Sequence, residues 1–481
     1  MSNFSKKRKY EKGVIVTYVL LFGSIFLLIL SGLMGYILLQ LRQAGQKLAW
    51  NQALDISEAG IDYYRWCLSN GIEDDCIGER EYYDNDGATV GKFLVESEST
   101  IACGMTTRRH VTSTGWTLDY PGMQRKVQVF LGQESVAKYS YIINSSVWIG
   151  DDHFINGPYH SNGGIRMDGS NGSLVTSAAV RNNVGEWVCT SSFGCSPCPT
   201  SDGCRVSGTD CICPGVFTTT SNPTTSLFDY PVPAFDFNAI TMDLAEIKDK
   251  AKNGGGLYFP VSTTLKAGSK GYHLKFLNTG KIEVWTIMAL QQTNGYNEEE
   301  DWHYDRFIIN NELLHGTYTI PADCSVIYIE DNLWVDGTVK GKVVVASANL
   351  ITAGVDTSVV LPGNITYAAS SETDGLAIIA EKNVLIGPQS PNDMELHSII
   401  VAQKGRFGRD HYVGNFRNSL KIYGSVISNG RVGTQWTSGG VIVSGYNQRE
   451  TFFDQNQVYN PPPFVAGMSD EFEIVSWQEI D

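Results

Sequence analysis

The chain has 481 residues, a net charge of −15, 18% charged residues and 49 glycines. That length holds two or three domains, and a glycine-rich, charge-poor composition suits a β architecture with many tight turns. Residues 1–13 hold Lys6, Lys7, Arg8, Lys9 and Lys12 against Glu11, a net +4, so the remainder carries −19; so acidic a body is a poor non-specific binder of nucleic acid, because phosphates would repel it, and no nucleic-acid partner is expected.

The first element is an uncharged run from Val14 to Leu39, 26 residues long. About 20 apolar residues in a helix cross the hydrocarbon of a bilayer. The basic cluster ahead of the run predicts a cytoplasmic N-terminus and an exported remainder. The run is too long for the apolar core of an ordinary cleaved signal. The sequence therefore predicts a leader over 1–13 and a transmembrane helix over 14–40. The helical pattern then continues through Leu41, Leu48, Ala49, Ala53, Ile56, Ala59, Ile61 and Tyr64 to a stop at Gly71. A helix from 14 to about 68 would be about 80 Å long.

Alternation at period two predicts strands around Phe93–Val95, His110–Gly115 and Lys126–Leu131. With the helix continuation they make a small α+β module over 41–135. Asp84-Asn85-Asp86-Gly87 imitates the start of a calcium loop, but Val95 stands where the distal glutamate belongs. Asp84 and Asp86 are therefore weak calcium candidates, and apart from such Ca2+ no cofactor is expected.

Over 136–481 the pattern changes to short β-type runs separated by Gly, Asn and Asp turns, such as 342–345, 376–380, 398–402 and 420–423. Short runs with small-residue corners predict a right-handed parallel β-helix, in which neighbours must stack to bury each apolar edge; a β-sandwich is the competing architecture. One helix, 238–252, interrupts the region, with acids early, lysines late and glycine after. It is expected to cap an end of the solenoid or seal its side.

Ten cysteines are present: Cys67, Cys76, Cys103, Cys324, and six in a Cys-rich insert over 189–213, namely Cys189, Cys195, Cys198, Cys204, Cys211 and Cys213. Cys195-x-x-Cys198 has the spacing of zinc ligands, but the cluster holds no histidine. An even count in an exported chain favours disulfides, with the pairing left open.

Two resemblances follow. Lys12-Gly13-Val14-Ile15-Val16-Thr17-Tyr18, the apolar helix and Ser57-Glu58-Ala59-Gly60-Ile61 resemble the start of type IV prepilins, nearest to PilX-like minor pilins and pseudopilins. The resemblance implies cleavage by a prepilin peptidase between Gly13 and Val14. Tyr18 stands where major pilins carry glutamate at the fifth mature position, which points to a minor or tip role. Gly157–Gly164, Trp334–Gly341, Pro461–Phe464 and Val475–Trp477 look like β-helical ectodomains joined to such N-termini.

Chemistry is sparsely signalled. His160 beside Ser161 reads either as a base and nucleophile or as a turn histidine, and adjacent strand residues do not face each other. The acidic run 297–301 reads as a solvated loop or a weak calcium site. Trp302, Tyr304, Trp334, Trp436 and Tyr446 read as a carbohydrate platform or as solenoid filling. No catalytic residue is assigned, and the chain is expected not to be an enzyme. The expectation is a structural component of a type IV pilus or related filament, with its ectodomain at the cell surface. Its partners would be other pilin subunits, the assembly machinery, the prepilin peptidase and the membrane. An anchored adhesin or glycan-binding protein is the alternative, and a glycan-cleaving β-helix enzyme, which needs grouped carboxylates, stands behind both.

Overall fold

The computed structural model describes residues 14–480, so Gly13 and the 1–13 leader lie outside the described residues. The chain is mainly β with one long N-terminal helix. It divides into two compact units: the chain up to Glu98 with His110–Phe130 and the residues from Ser476, and Ser99–Arg109 with Leu131–Val475.

The first unit is organised by α1, Val14–Ser69, a single helix of 56 residues. Its first half carries only exposed apolar side chains, among them Ile15, Leu20, Phe22, Leu28 and Leu38. Its second half buries Ala49, Ala53, Ile56, Ser57, Gly60, Ile61, Tyr64, Cys67 and Leu68, steps of three and four that line one helical face. Leu41 and Leu48, expected in that stripe, are exposed; they face away from the buried side. Buried with the helical face are Phe93, Val95, Val111, Val127 and Val129, the inward positions of alternating strands. Gly78–Tyr83, Thr89–Ala102, Met105–Thr117, Arg125–Ser135 and Gly467–Ile480 lie in that order in a five-stranded sheet. Helix and strand come together closely at Gly115, where a Cβ would lie 2.4 Å from the Ala53 carbonyl oxygen and 2.5 Å from the Ser57 nitrogen. The helix stops at Gly71, in the left-handed region at φ 66°, where Ile72 N–H donates back to the Cys67 carbonyl.

The second unit is built on parallel ladders. The longest runs through Leu257–Phe259, Val326–Ile329, Lys342–Ser347, Gly375–Ala380, the end of Asp393–Ala402 and the end of Phe416–Ser428. It continues through Tyr141–Ile143, Tyr159–Ser161, Val175–Ser177 and Phe228–Asp229. Spatial order is therefore not chain order: Tyr141 pairs with Val426. Residues 153–156 likewise pair with 449–452 in a second ladder. A file of asparagines crosses the same junction: Asn144 donates to Asn429 at 2.7 Å, and Asn162 to Asn144 at 2.7 Å.

The long ladder is buried on both faces, which is why its strands read as continuous apolar runs. Ile327, Ile329, Val343, Val345, Leu376, Ile378 and Ile400 enter one core. Their neighbours Val326, Tyr328, Val344, Ala346, Ala377, Ile379, Ile399 and Val401 enter a second core with Phe237, Ile240, Ile247 and Ala251. The helical segment thus seals a side of the ladder. It is not one helix over 238–252 but two, Phe237–Ile240 and Leu244–Asn253. Asp243, expected inside the helix, instead accepts from the Ala245 and Glu246 N–H groups and starts a new one.

An antiparallel hairpin, Lys281–Asn297 with Asp301–Thr319, extends from the strand Tyr272–Leu277. The ten cysteines form five disulfides: Cys67–Cys76, Cys103–Cys324, Cys189–Cys195, Cys198–Cys211 and Cys204–Cys213. With its sulfurs oxidised, the 189–213 insert presents no thiolate for zinc; its small sheet, Glu186–Cys189, Asp210–Pro214 and Arg205–Ser207, surrounds them.

Candidate functional site

His160 is 2% exposed. Its Nδ1 lies 2.9 Å from Thr176 Oγ1 and its Nε2 2.9 Å from Asn162 Oδ1. Burial lowers its pKa, partly offset by Asn162. Ser161 Oγ donates to the Ser145 carbonyl, so the two are engaged separately and form no nucleophile–base pair. Asp84 Oδ1 accepts from the Asp86 and Ala88 N–H groups, closing its own turn. Neither Asp84 nor Asp86 joins a group of three metal-ligating side chains among the described residues.

The acidic run 297–301 forms the tip of the 281–319 hairpin. Asn297 Oδ1 accepts from the Glu299 and Glu300 N–H groups, and Asp301 takes a positive φ of 55°. The returning strand then places His303 and Asp305 on one face, two residues apart. Tyr296 and His411 exchange backbone hydrogen bonds of 3.0 and 2.8 Å. That pairing brings Asp410 to the hairpin, and His303 Nε2 lies 3.0 Å from Asp305 Oδ1 and 3.1 Å from Asp410 Oδ2. Asp305 and Asp410 are 5% and 2% exposed. Burial, and then the Asp410 carboxylate, push the Asp305 pKa up to about 7. Burial acts against protonation of His303, but the Asp301 carbonyl and the neighbouring carboxylates raise its pKa overall. Asp305 Oδ2 accepts from Tyr412 at 2.9 Å, and Arg406 donates to Asp410 Oδ1.

Beside this cluster lies a cavity of about 760 Å³, lined by the hairpin tip, the Cys-rich insert at 191–193, residues 429–437 and the strand Val147–Ile149. Its aromatic walls include Trp148, Phe193, Tyr296 and Trp436. Tyr296 and Trp436 stand edge to face at 5.5 Å between centroids, and Arg166 covers Trp148 at 4.4 Å. Arg431 joins two walls, reaching Glu298 at 2.5 Å and the Ser192 carbonyl at 2.9 Å. Of the aromatic residues singled out in the sequence, Trp302 and Tyr304 are exposed, whereas Trp334 and Tyr446 are buried. Trp436 alone among them lines the cavity.

The cluster escaped the sequence reading. The two-residue spacing of Asp301, His303 and Asp305 was a usable signal for one strand face. Nothing local marks Asp410, which is 107 residues from His303.

No family model and no curated protein matches the chain. Among solved structures, the crystal structure of competence-associated pilin ComZ from Thermus thermophilus aligns over 90% of this chain and 97% of its own, at 13% identity and a TM-score of 0.28. A likeness of that extent carries no argument about fold or role.

Proposed function

We propose that this chain is a structural, PilX-like minor pilin or pseudopilin-like component of a type IV pilus or related filament. Its N-terminal helix anchors it in the membrane, and its second unit is displayed at the cell surface. The observation that carries this reading is the continuity of α1, Val14–Ser69. Its uncharged first half is exposed, and its second half is built into a small α+β unit. In this reading a prepilin peptidase cuts after Gly13, and the freed apolar half packs against other pilin subunits. We further read the parallel ladders as faces of a right-handed β-helix: strand-to-strand parallel crossovers take that hand almost without exception, and stacked asparagines are at home at its corners.

The chain acts here without catalysis. Asp305 and Asp410 both lie within hydrogen-bond reach of the single His303 Nε2, and their far oxygens are held by Tyr412 and Arg406. A glycosidic bond needs its two carboxyl groups on either side of it, and two carboxylates gathered on one imidazole support the reading without catalysis.

The test is the mass of the mature N-terminus from native membranes, together with sedimentation of sheared filaments. A chain beginning at Val14 that travels with the filaments is expected, and Gly13→Asp should abolish both. An uncut chain that stays with the cells after shearing would refute the filament role. It would favour a second reading, an anchored glycan binder, for which the cavity lined by Trp148, Tyr296 and Trp436 speaks. Stacking on those rings is the usual means of holding a sugar face.

A further inference from the structure

We infer that His303, Asp305 and Asp410, joined by Glu300, form a binding site for one divalent first-row transition cation, with Zn2+ as the ion to test. One donor atom from each of the three residues lies within 4.8 Å of the others. The edges from His303 Nε2 are 3.0 Å to Asp305, 3.1 Å to Asp410 and 3.6 Å to Glu300 Oε2. Metal–ligand bonds of about 2.1 Å place neighbouring donors about 3.0 Å apart in an octahedron and about 3.4 Å apart in a tetrahedron. The edges to Asp305 and Asp410 fall in that interval and the edge to Glu300 lies just beyond it, so an ion would enter with small side-chain shifts, the largest at exposed Glu300.

Each donor is also oriented from behind by a different group. His303 Nδ1 lies 2.8 Å from the Asp301 carbonyl oxygen. That oxygen can only accept, so Nδ1 carries a proton; Nε2, which faces the Asp305 and Asp410 carboxylates, is the atom that would give up its proton and offer a lone pair to an ion. Tyr412 holds the far oxygen of Asp305, and Arg406 holds the far oxygen of Asp410. Partners of this kind fix the tautomer and rotamer of metal ligands. They leave three single atoms converging on one point.

One imidazole with carboxylates suits Zn2+ or Mn2+ better than Ca2+, which takes oxygen ligands throughout. The site opens on the side of Glu300, whose side chain is 53% exposed. An ion there would tie the hairpin tip to residues 406–412 and so fix two walls of the neighbouring cavity, since Asn297, Glu298 and Arg406 all line it. This inference stands independently of the filament role.

The experiment uses the full chain in detergent, stripped with a chelator and titrated with Zn2+ by calorimetry, with bound zinc counted after gel filtration. One ion per chain is expected. His303→Ala and Asp305→Asn should weaken binding by on the order of 100-fold, while Asp84→Asn should bind as wild type does. Because Asp305 is buried, far-UV circular dichroism checks each fold, and His303→Gln, at a hairpin tip, serves if the others misfold. Absence of saturable Zn2+ binding, undiminished binding by the His303 and Asp305 variants, or displacement of Zn2+ by equimolar Ca2+ would overturn the assignment.

Discussion

His273 should make the second unit's stability depend on pH in a calculable way. It sits on the strand Tyr272–Leu277, with Nδ1 3.0 Å from Glu312 and Nε2 3.5 Å from Asp336. Its side chain is 12% exposed. Burial opposes the charged ring, but Asp336 and Glu312 more than offset it and raise the pKa from the ordinary 6.5 of a histidine to about 9. A folded pKa above the unfolded one means that protonation favours the folded state. The stabilisation is fully present below the unfolded pKa and lost as pH rises through the folded one. At 1.36 kcal/mol per unit, the contribution is about 3 kcal/mol at pH 6, about 2 kcal/mol at pH 7.5 and about zero at pH 10. The 3.5 Å contact with Asp336 is charge attraction more than hydrogen bond. The assay is the urea midpoint of wild type and His273→Gln at pH 6, 7.5 and 10, with disulfides intact. The gap between the two proteins should be widest at pH 6 and close by pH 10. A gap constant across that range would show that His273 is not held charged between the two carboxylates.

Gly115→Ala should destabilise the first unit by about 3 kcal/mol, the upper part of the overpacking range, because the new methyl would meet backbone atoms of α1 that cannot swing aside. Gly122→Ala meets nothing within 4 Å and should leave the melting temperature unchanged; equal shifts for both would refute the close contact. Replacing Cys103 and Cys324 by serine opens a link across a sequence separation of 221, worth at most about 5 kcal/mol as loop-closure entropy. The Cys189–Cys195 link spans a separation of 6 and is worth about 2 kcal/mol on the same basis. Melting temperatures of the two double-serine variants should fall in that order, and the reverse order would show that chain entropy is not what these links supply.

What was legible in the sequence was whatever one stretch of chain decides for itself. The uncharged run after Gly13 and the buried positions from Ala49 to Tyr64 announced α1 through helical spacing alone. Runs such as 376–380 announced strands because both of their faces are apolar. Contacts decided by distant segments were not legible. Val426 and Tyr141 pair, yet every ladder strand is similarly apolar, so nothing in composition says which lies beside which. His303 and Asp305 share a readable spacing, but Asp410 comes to them only through the backbone pairing of Tyr296 with His411. Three disulfides crowded into 25 residues admit many pairings by spacing, and even the strand register, which sets Cys189 opposite Cys211, does not name the partner Cys195 that Cys189 takes. The expected helix over 238–252 broke at Asp243 because a carboxylate able to cap competes with one that merely sits in the first turn.

The ladder's order has a consequence for how the protein comes into being. Tyr141 and Thr451 are hydrogen-bonded partners 310 residues apart, so a chain delivered from its N-terminus presents the strands 141–143 and 153–156 long before their neighbours at 426–428 and 449–452 emerge. Until then two strand edges stand bare, and bare edges recruit other chains. A fragment cut short near residue 415 would keep both edges open for good and should aggregate. In this molecule the strands at 426–428 and 449–452 therefore close edges that the earlier strands leave open.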